Sequence, residues 1–243
     1  MSRTYDALKR AESLRAGKGA GSQLDSSPAV GGGYLGSPDE YYELRRSMSA
    51  ISIGNEVKTV MVAASLHGEG ASSVAYLLAR ALSEEGRSKV LLVDMNMRTP
   101  ALWRMTQVAD YTGLMNVAAG EKAVEEVIQP TSVQGLSVIT AGSGGMKPID
   151  VVEYVRTSEA GSALTSLADV VFLDAPPVAL YPDALAIAPM VDGVVMVVEA
   201  DATPVSVAAR TVELVKSGGS EVLGVVLNKR HDYIPARIAE LIA

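Results

Sequence analysis

Short apolar runs alternate with amphipathic stretches over most of the chain beyond residue 57. The first run, Lys58-Thr59-Val60-Met61-Val62-Ala63-Ala64, carries no charge after its opening lysine and reads as a buried strand. Segments 89–94, 136–140, 170–174, 193–198 and 222–228 repeat the pattern and are rich in Val, Leu and Ile. Between the first two runs, Val74, Leu77, Leu78, Ala81 and Leu82 share one face of a helical pattern. Helices are predicted around 72–86, 148–167, 182–189 and 204–217. Apolar strands alternating with helices predict an α/β fold, a mostly parallel sheet with helices on both faces.

The beginning of the chain differs. Tyr5, Leu8, Ala11 and Leu14 recur at helical spacing, so segment 1–15 is expected to hold a short N-terminal helix whose apolar stripe suits docking. Residues 16–38 are Gly- and Ser-rich with little to bury, and read as a flexible linker. Ser37 and Pro38 then look like a helix start, with the helix running to about Ile51. The folded domain is therefore expected over 39–243.

Composition narrows the function classes. The net charge is −7 and the pI about 5.0, which argues against non-specific nucleic-acid binding and against direct adhesion to an anionic membrane. There is no cysteine, which excludes disulfides and thiolate metal sites. Histidine occurs only at positions 67 and 231. The N-terminus lacks an apolar signal core, and the apolar runs fall well short of the roughly 20 residues a membrane span needs. A cytoplasmic protein is expected, reaching a membrane only through a partner.

The chemistry gathers where strands end. The loop His67-Gly68-Glu69-Gly70-Ala71-Ser72-Ser73 lies between a predicted strand and helix, the geometry that aims backbone N–H groups at a phosphate. In the usual phosphate-loop pattern a lysine follows the last glycine, reaching the β- and γ-phosphates, and a hydroxyl ligates magnesium. Here Gly70 and Ser72 keep their places and the lysine position is Ala71. Ser73 supports the helix start, and His67 reads as an exposed loop residue. Asp94 ends the second strand and can orient a magnesium-bound water, accept a proton, or cap a helix. Asp174 ends the fourth strand before Ala175-Pro176-Pro177, a place for a carboxylate that holds magnesium through water. Arg98 faces either phosphate or a nearby carboxylate, and Asn228 either a purine edge or a turn.

These motifs resemble those of the bacterial tyrosine kinases, cytoplasmic P-loop autokinases paired with polysaccharide chain-length proteins. The related loop usually reads Pro-Gly-Glu-Gly-Lys-Ser-Thr. The second motif, usually Leu-Leu-Ile-Asp-x-Asp-x-Arg-x-Pro, is Leu91-Leu92-Val93-Asp94-Met95-Asn96-Met97-Arg98-Thr99-Pro100 here. Asp174-Ala175-Pro176-Pro177, Gly113-Leu114-Met115-Asn116-Val117, Asp183-Ala184, Asp192-Gly193 and Leu223–Asn228 extend the similarity. The opening Met-Ser-Arg-Thr-Tyr-Asp is similar to members encoded with exopolysaccharide export systems. The resemblance implies a P-loop NTPase-like fold and an ATP and Mg2+ site. In it Gly68, Glu69, Gly70, Ser72, Ser73, Arg98 and Asn228 bind nucleotide, Ser72, Asp94 and Asp174 hold metal, and Asp94 is the catalytic candidate.

The departures shape the expected function. Ala71 removes the lysine, and Asn96 replaces the second carboxylate of the Asp-x-Asp motif. The end of the chain, 231–243, holds one tyrosine, Tyr233, where active members carry a cluster. In the helix that forms rings in the family, Glu40 and Arg46 remain and Glu43 stands at the middle arginine. Losing one preorganised charge contact commonly costs about 10²–10³ in rate. The expectation is a catalytically impaired regulatory or scaffold subunit of exopolysaccharide or capsule export, with weak or absent ATP binding. Its partner would be a separate transmembrane polysaccharide co-polymerase, and self-association into a homo-oligomer is possible. The alternatives are an active tyrosine autokinase or ATPase and, less favoured, a positioning ATPase of the ParA/MinD type.

Overall fold

A computed structural model describes residues 46–47 and 56–230. The expected docking helix at 1–15, the linker, Glu40, Glu43 and the tail with Tyr233 lie outside the described residues. Arg46 and Ser47 are helical and exposed.

The strands are β1 (Thr59–Ala64), β2 (Val90–Asp94), β3 (Gln129–Pro130), β4 (Leu136–Ile139), β5 (Val170–Ala175), β6 (Gly193–Glu199) and β7 (Val222–Asn228). They form one sheet in the order β3-β4-β2-β5-β1-β6-β7, parallel throughout except for the edge strand β3. The helices are α1 (Ala71–Glu84), α2 (Leu102–Thr106), α3 (Leu114–Ala118), α4 (Pro148–Thr157), α5 (Glu159–Leu167), α6 (Pro182–Ile187) and α7 (Val205–Ser217).

Alternation along each strand divides the core between the two faces of the sheet. Val60 and Val62 of β1, with Leu92 and Phe172, pack under Val74, Leu78 and Leu82 of α1. Met61, Ala63, Val93 and Leu173 face the other way, towards Val151 and Val155 of α4, Leu164 of α5 and Ile187 of α6. Both faces are covered, which is why the central strands read as unbroken apolar runs rather than as alternating ones.

The predicted helix over 148–167 is two helices. Ser158 leaves helical geometry at φ −98, ψ 175, and its Oγ accepts the Ala160 N–H at 3.2 Å, starting α5 anew. Gly161 permits the break, because a Cβ there would lie 2.5 Å from the Val155 carbonyl oxygen. The short helices α2 and α3 and the two-residue β3 carry too few apolar positions to show a period. At α3 the Asn116 Oδ1 accepts the Gly113 N–H at 2.9 Å, and a Cβ on Gly113 would sit 2.2 Å from Thr140 O. The glycine is thus needed for close approach to the end of β4.

Asp192 ties the entry of β1 to that of β6. Its Oδ2 accepts the N–H of Lys58 at 2.9 Å and the N–H and hydroxyl of Thr59, each at 2.8 Å. Burial pushes this carboxyl's pKa up, but the donors of Thr59 and Lys58 outweigh burial, and the net value lies below the ordinary one. Asp192→Ala is expected to lower stability by about 1 kcal/mol, less than a buried charged hydrogen bond contributes because water competes at this exposed site. The wild-type contribution is present above the unfolded value of about 3.9. It disappears as pH falls through the lower folded value. Urea denaturation at pH 7 and at pH 3 checks both the size and the sign.

Candidate functional site

The site lies at the carboxyl ends of β2, β5 and β1, three neighbouring strands. Residues 65–70 leave β1 and turn into α1. Gly68 (φ +84) and Gly70 (φ +91) adopt left-handed backbone, which only glycine takes without strain. The Gly70 carbonyl accepts the Val74 N–H at 3.0 Å, so the helix begins directly from the loop. Ser72 and Ser73 occupy the first turn of α1 beside Ala71, and Ala71 is 8% exposed and packed into the core under that helix.

Side chains far away in sequence hold the loop. Glu69 is 2% exposed and turned inward. Its carboxylate accepts the Leu66 N–H at 2.8 Å and the hydroxyl of Thr203, from the β6–α7 connection. The Glu69 carboxylate thus braces the loop. Asn228, at the end of β7, donates from Nδ2 to the Glu69 carbonyl at 2.8 Å. A Cβ at Gly70 would come within 2.2 Å of that same Nδ2. Below the loop, Ser65 shares a 2.7 Å hydroxyl bond with Thr211 of α7.

Two carboxylates stand beside it. Pairing of β2 with β5 places Asp94 directly opposite Asp174, and both are fully buried. Asp94 accepts the N–H of Asn96 at 3.1 Å through Oδ1, and those of Ala101 and Leu102 at 3.1 and 3.2 Å through Oδ2. It therefore caps α2 from across the loop, the capping alternative in the sequence. Burial raises its pKa to about 7 against the lowering effect of those N–H groups. Burial, then the charge of Asp94, raise Asp174 well above the carboxylate range, and Ser72 nearby eases it. Neither Asp174 oxygen has a partner at hydrogen-bonding distance. Asn96 Oδ1 makes long 3.4 Å contacts to the N–H and hydroxyl of Thr99.

Among the described residues no three acidic, histidine or cysteine side chains gather as a metal site. Magnesium needs less, commonly one or two carboxylates with waters and phosphate oxygens. The unpartnered oxygens of Asp174, with Asp94 opposite and the Ser72 hydroxyl nearby, fit that donor set. Arg98 points its Nε at Asp183 Oδ2, 2.6 Å away, so of the two expected partners the structure supplies the carboxylate. His67 is exposed, as expected, and bonds Tyr181. Thr203, Tyr181 and the amides of Ala101 and Leu102 carried no signal in the sequence, because each meets the site only through the fold. A cavity of about 320 Å³ lined by Lys89, Thr131, Gln134 and Leu167 lies at the opposite, amino ends of the strands, away from this chemistry.

A glycine loop between a buried strand and a helix, flanked by acidic strand ends, defines the P-loop nucleotide-binding class. The family model described as ParA, NUBPL iron-transfer P-loop NTPase, matches residues 56–237, and the chain belongs to this family. Iron transfer is part of that description, and this chain has no cysteine to offer iron. Tyrosine-protein kinase YwqD of Bacillus subtilis (strain 168) is 27% identical over 190 residues, covering 78% of this chain and 80% of that protein. Succinoglycan biosynthesis transport protein ExoP of Rhizobium meliloti (strain 1021) is 30% identical over 179 residues, 72% of this chain but only 23% of that longer protein. The solved structure of the chimerical protein CapA2B2 matches with a TM-score of 0.72 at 26% identity, covering 81% of this chain and 87% of that one. The resemblance to the bacterial tyrosine kinases thus holds over about four fifths of the chain as well as for its motifs.

The paired carboxylates give a signed pH dependence. Between about 3.9, the unfolded value, and about 7, the folded value of Asp94, the folded state holds more protons than the unfolded one. Metal-free stability should therefore fall as pH rises through this range. Asp174→Asn removes the facing charge and should flatten the slope, raising Tm at pH 8 by about 2–4 °C, on the order of 1 kcal/mol. Thermal denaturation in chelator at pH 5 and pH 8 tests it.

Proposed function

We propose that this chain is a catalytically impaired, tyrosine-kinase-like regulatory or scaffold subunit of exopolysaccharide or capsule biosynthesis and export. The observation that carries the reading is Ala71, a buried methyl group where the phosphate loop of its relatives holds an ammonium. Phosphoryl transfer depends on positioning and on charge placed against the transferring phosphate. Neither nearby lysine stands in that place. Asn96 is engaged with Thr99, Lys229 pairs with Glu199 at 2.9 Å, and Lys58 stands at the amino end of β1.

The names of the relatives, tyrosine-protein kinases and a succinoglycan biosynthesis transport protein, support the export setting. Among the described residues no helix is long and apolar enough to cross a membrane. In this reading the chain works in the cytoplasm, at the inner face of the membrane, held by a separate transmembrane polysaccharide co-polymerase through segment 1–15. Assembly with further copies of itself belongs to the same reading. ATP and Mg2+ would bind weakly and act as a signal rather than as a phosphoryl source.

A second reading, an active autokinase or ATPase, draws on the intact loop backbone and on the open oxygens of Asp174. Turnover decides between the two. Purified protein with Mg-ATP should hydrolyse or autophosphorylate at least about 100-fold more slowly than the Ala71→Lys/Asn96→Asp variant, the cost of one or two preorganised charge contacts. Robust wild-type phosphorylation that is lost in Asp174→Asn would establish the enzyme instead. Deleting residues 1–15 should also abolish co-purification with the membrane partner.

A further inference from the structure

Three segments around the phosphate loop meet on one side chain, Tyr181. Its phenolic oxygen lies 2.9 Å from His67 Nε2, and the two rings meet edge to face at 5.4 Å between centroids. Over the same ring lies the Arg98 guanidinium, 4.3 Å from the centroid. Arg98 is also held by Asp183, a carboxylate 1% exposed whose Oδ1 is buried without a partner. Backbone bonds set the position of Tyr181. Val178 N–H donates to Ala64 O at 2.9 Å and Ala179 N–H to Ser65 O at 3.2 Å, fastening the exit of β5 along the start of the loop.

The arrangement fits a need that Ala71 creates. The loop has lost its lysine, and His67 stands where the related loop usually carries proline, so both departures fall within five residues of each other. An aromatic face and a carboxylate together fix a guanidinium more tightly than either does alone. The bond to Asp183 uses Nε, one of five N–H donors on the fork. An imidazole and a guanidinium are thereby gathered at the loop mouth, in a protein whose overall charge is negative.

We infer that Tyr181 is a positioning residue that holds the Arg98 guanidinium at the rim of the phosphate loop, its ring lying under the guanidinium and its hydroxyl anchored on His67. The ligand this rim serves is a polyphosphate anion. The inference rests on reading the loop as a nucleotide site. It differs from a simple latch in one respect: Tyr181 and Arg98 act on the ligand as one unit.

A double-mutant cycle on the full chain tests this, with calorimetric titration of magnesium tripolyphosphate and, separately, Mg-ATP. Arg98→Ala and Tyr181→Leu should each weaken tripolyphosphate binding about tenfold, the size of one charge-assisted hydrogen bond. The double variant should be no weaker than the weaker single, because Tyr181 acts through Arg98. Tyr181→Phe keeps the ring under the guanidinium and should retain most of the affinity, losing less than about threefold. Additive losses in the double variant, or unchanged binding in Tyr181→Leu, would overturn the inference. Wild-type binding of Mg-ATP without any binding of tripolyphosphate would overturn the rim alone. Failure of both ligands to bind would also remove the nucleotide part of the proposed function and leave its scaffold part to the co-purification test.

Discussion

Parallel pairing of β2 with β5, and of β5 with β1, is the constraint on which the site depends. The register sets Asp94 opposite Asp174 and Asp174 opposite Val62, so the two carboxylates stand level with each other, just short of the point where β1 runs out into the glycine loop. Neighbouring strands lie about 4.8 Å apart. At that spacing, out of water, two ionised carboxylates repel strongly. The fold answers for one of them: Asp94 takes three backbone N–H groups and starts α2. Asp174 receives no such answer and needs a proton or a cation from outside.

The loop next to this pair keeps its shape with alanine at position 71. Its curvature depends on two left-handed glycines, on the inward carboxylate of Glu69, and on the amide of Asn228. None of these bonds involves residue 71. Replacing a lysine by alanine there removes a charge from the ligand's side and leaves intact every tether on the protein's side. A phosphate cradle built in this way stays assembled without a lysine at its centre. Asn228 ties the loop to the edge of the sheet, and its side chain is already in use before any base arrives.

Around the mouth, the chain uses residues of its own. His67, Tyr181, Arg98 and Asp183 link the exits of β1, β2 and β5 by a phenol–imidazole bond, a stacked guanidinium and a half-buried ion pair. The contacts join the three loops that follow these strands. A subunit that reports occupancy to a partner needs such a coupling between its site and its surface, and Arg98 is 33% exposed there.

Much of this was written in the chain itself. Unbroken Val- and Leu-rich runs could only be strands covered on both faces, and their alternation with periodic helices left a parallel sheet as the economical arrangement. Gly68, Gly70, Ala71, Asp94 and Asp174 announced their chemistry through local context, because a strand end or a glycine turn is a local feature. Elements shorter than two helical turns, such as α2 and α3, could not, since a period needs repeats to be seen. Side-chain partnership was likewise decided by the tertiary structure. That Glu69 meets Thr203, that Asn228 meets Glu69, and that Arg98 chooses Asp183 are outcomes of strand order, which brings together residues up to 159 positions apart in the chain. Hydrogen bonds and ion pairs act over a few ångströms, and only the folded sheet sets which groups fall within that reach.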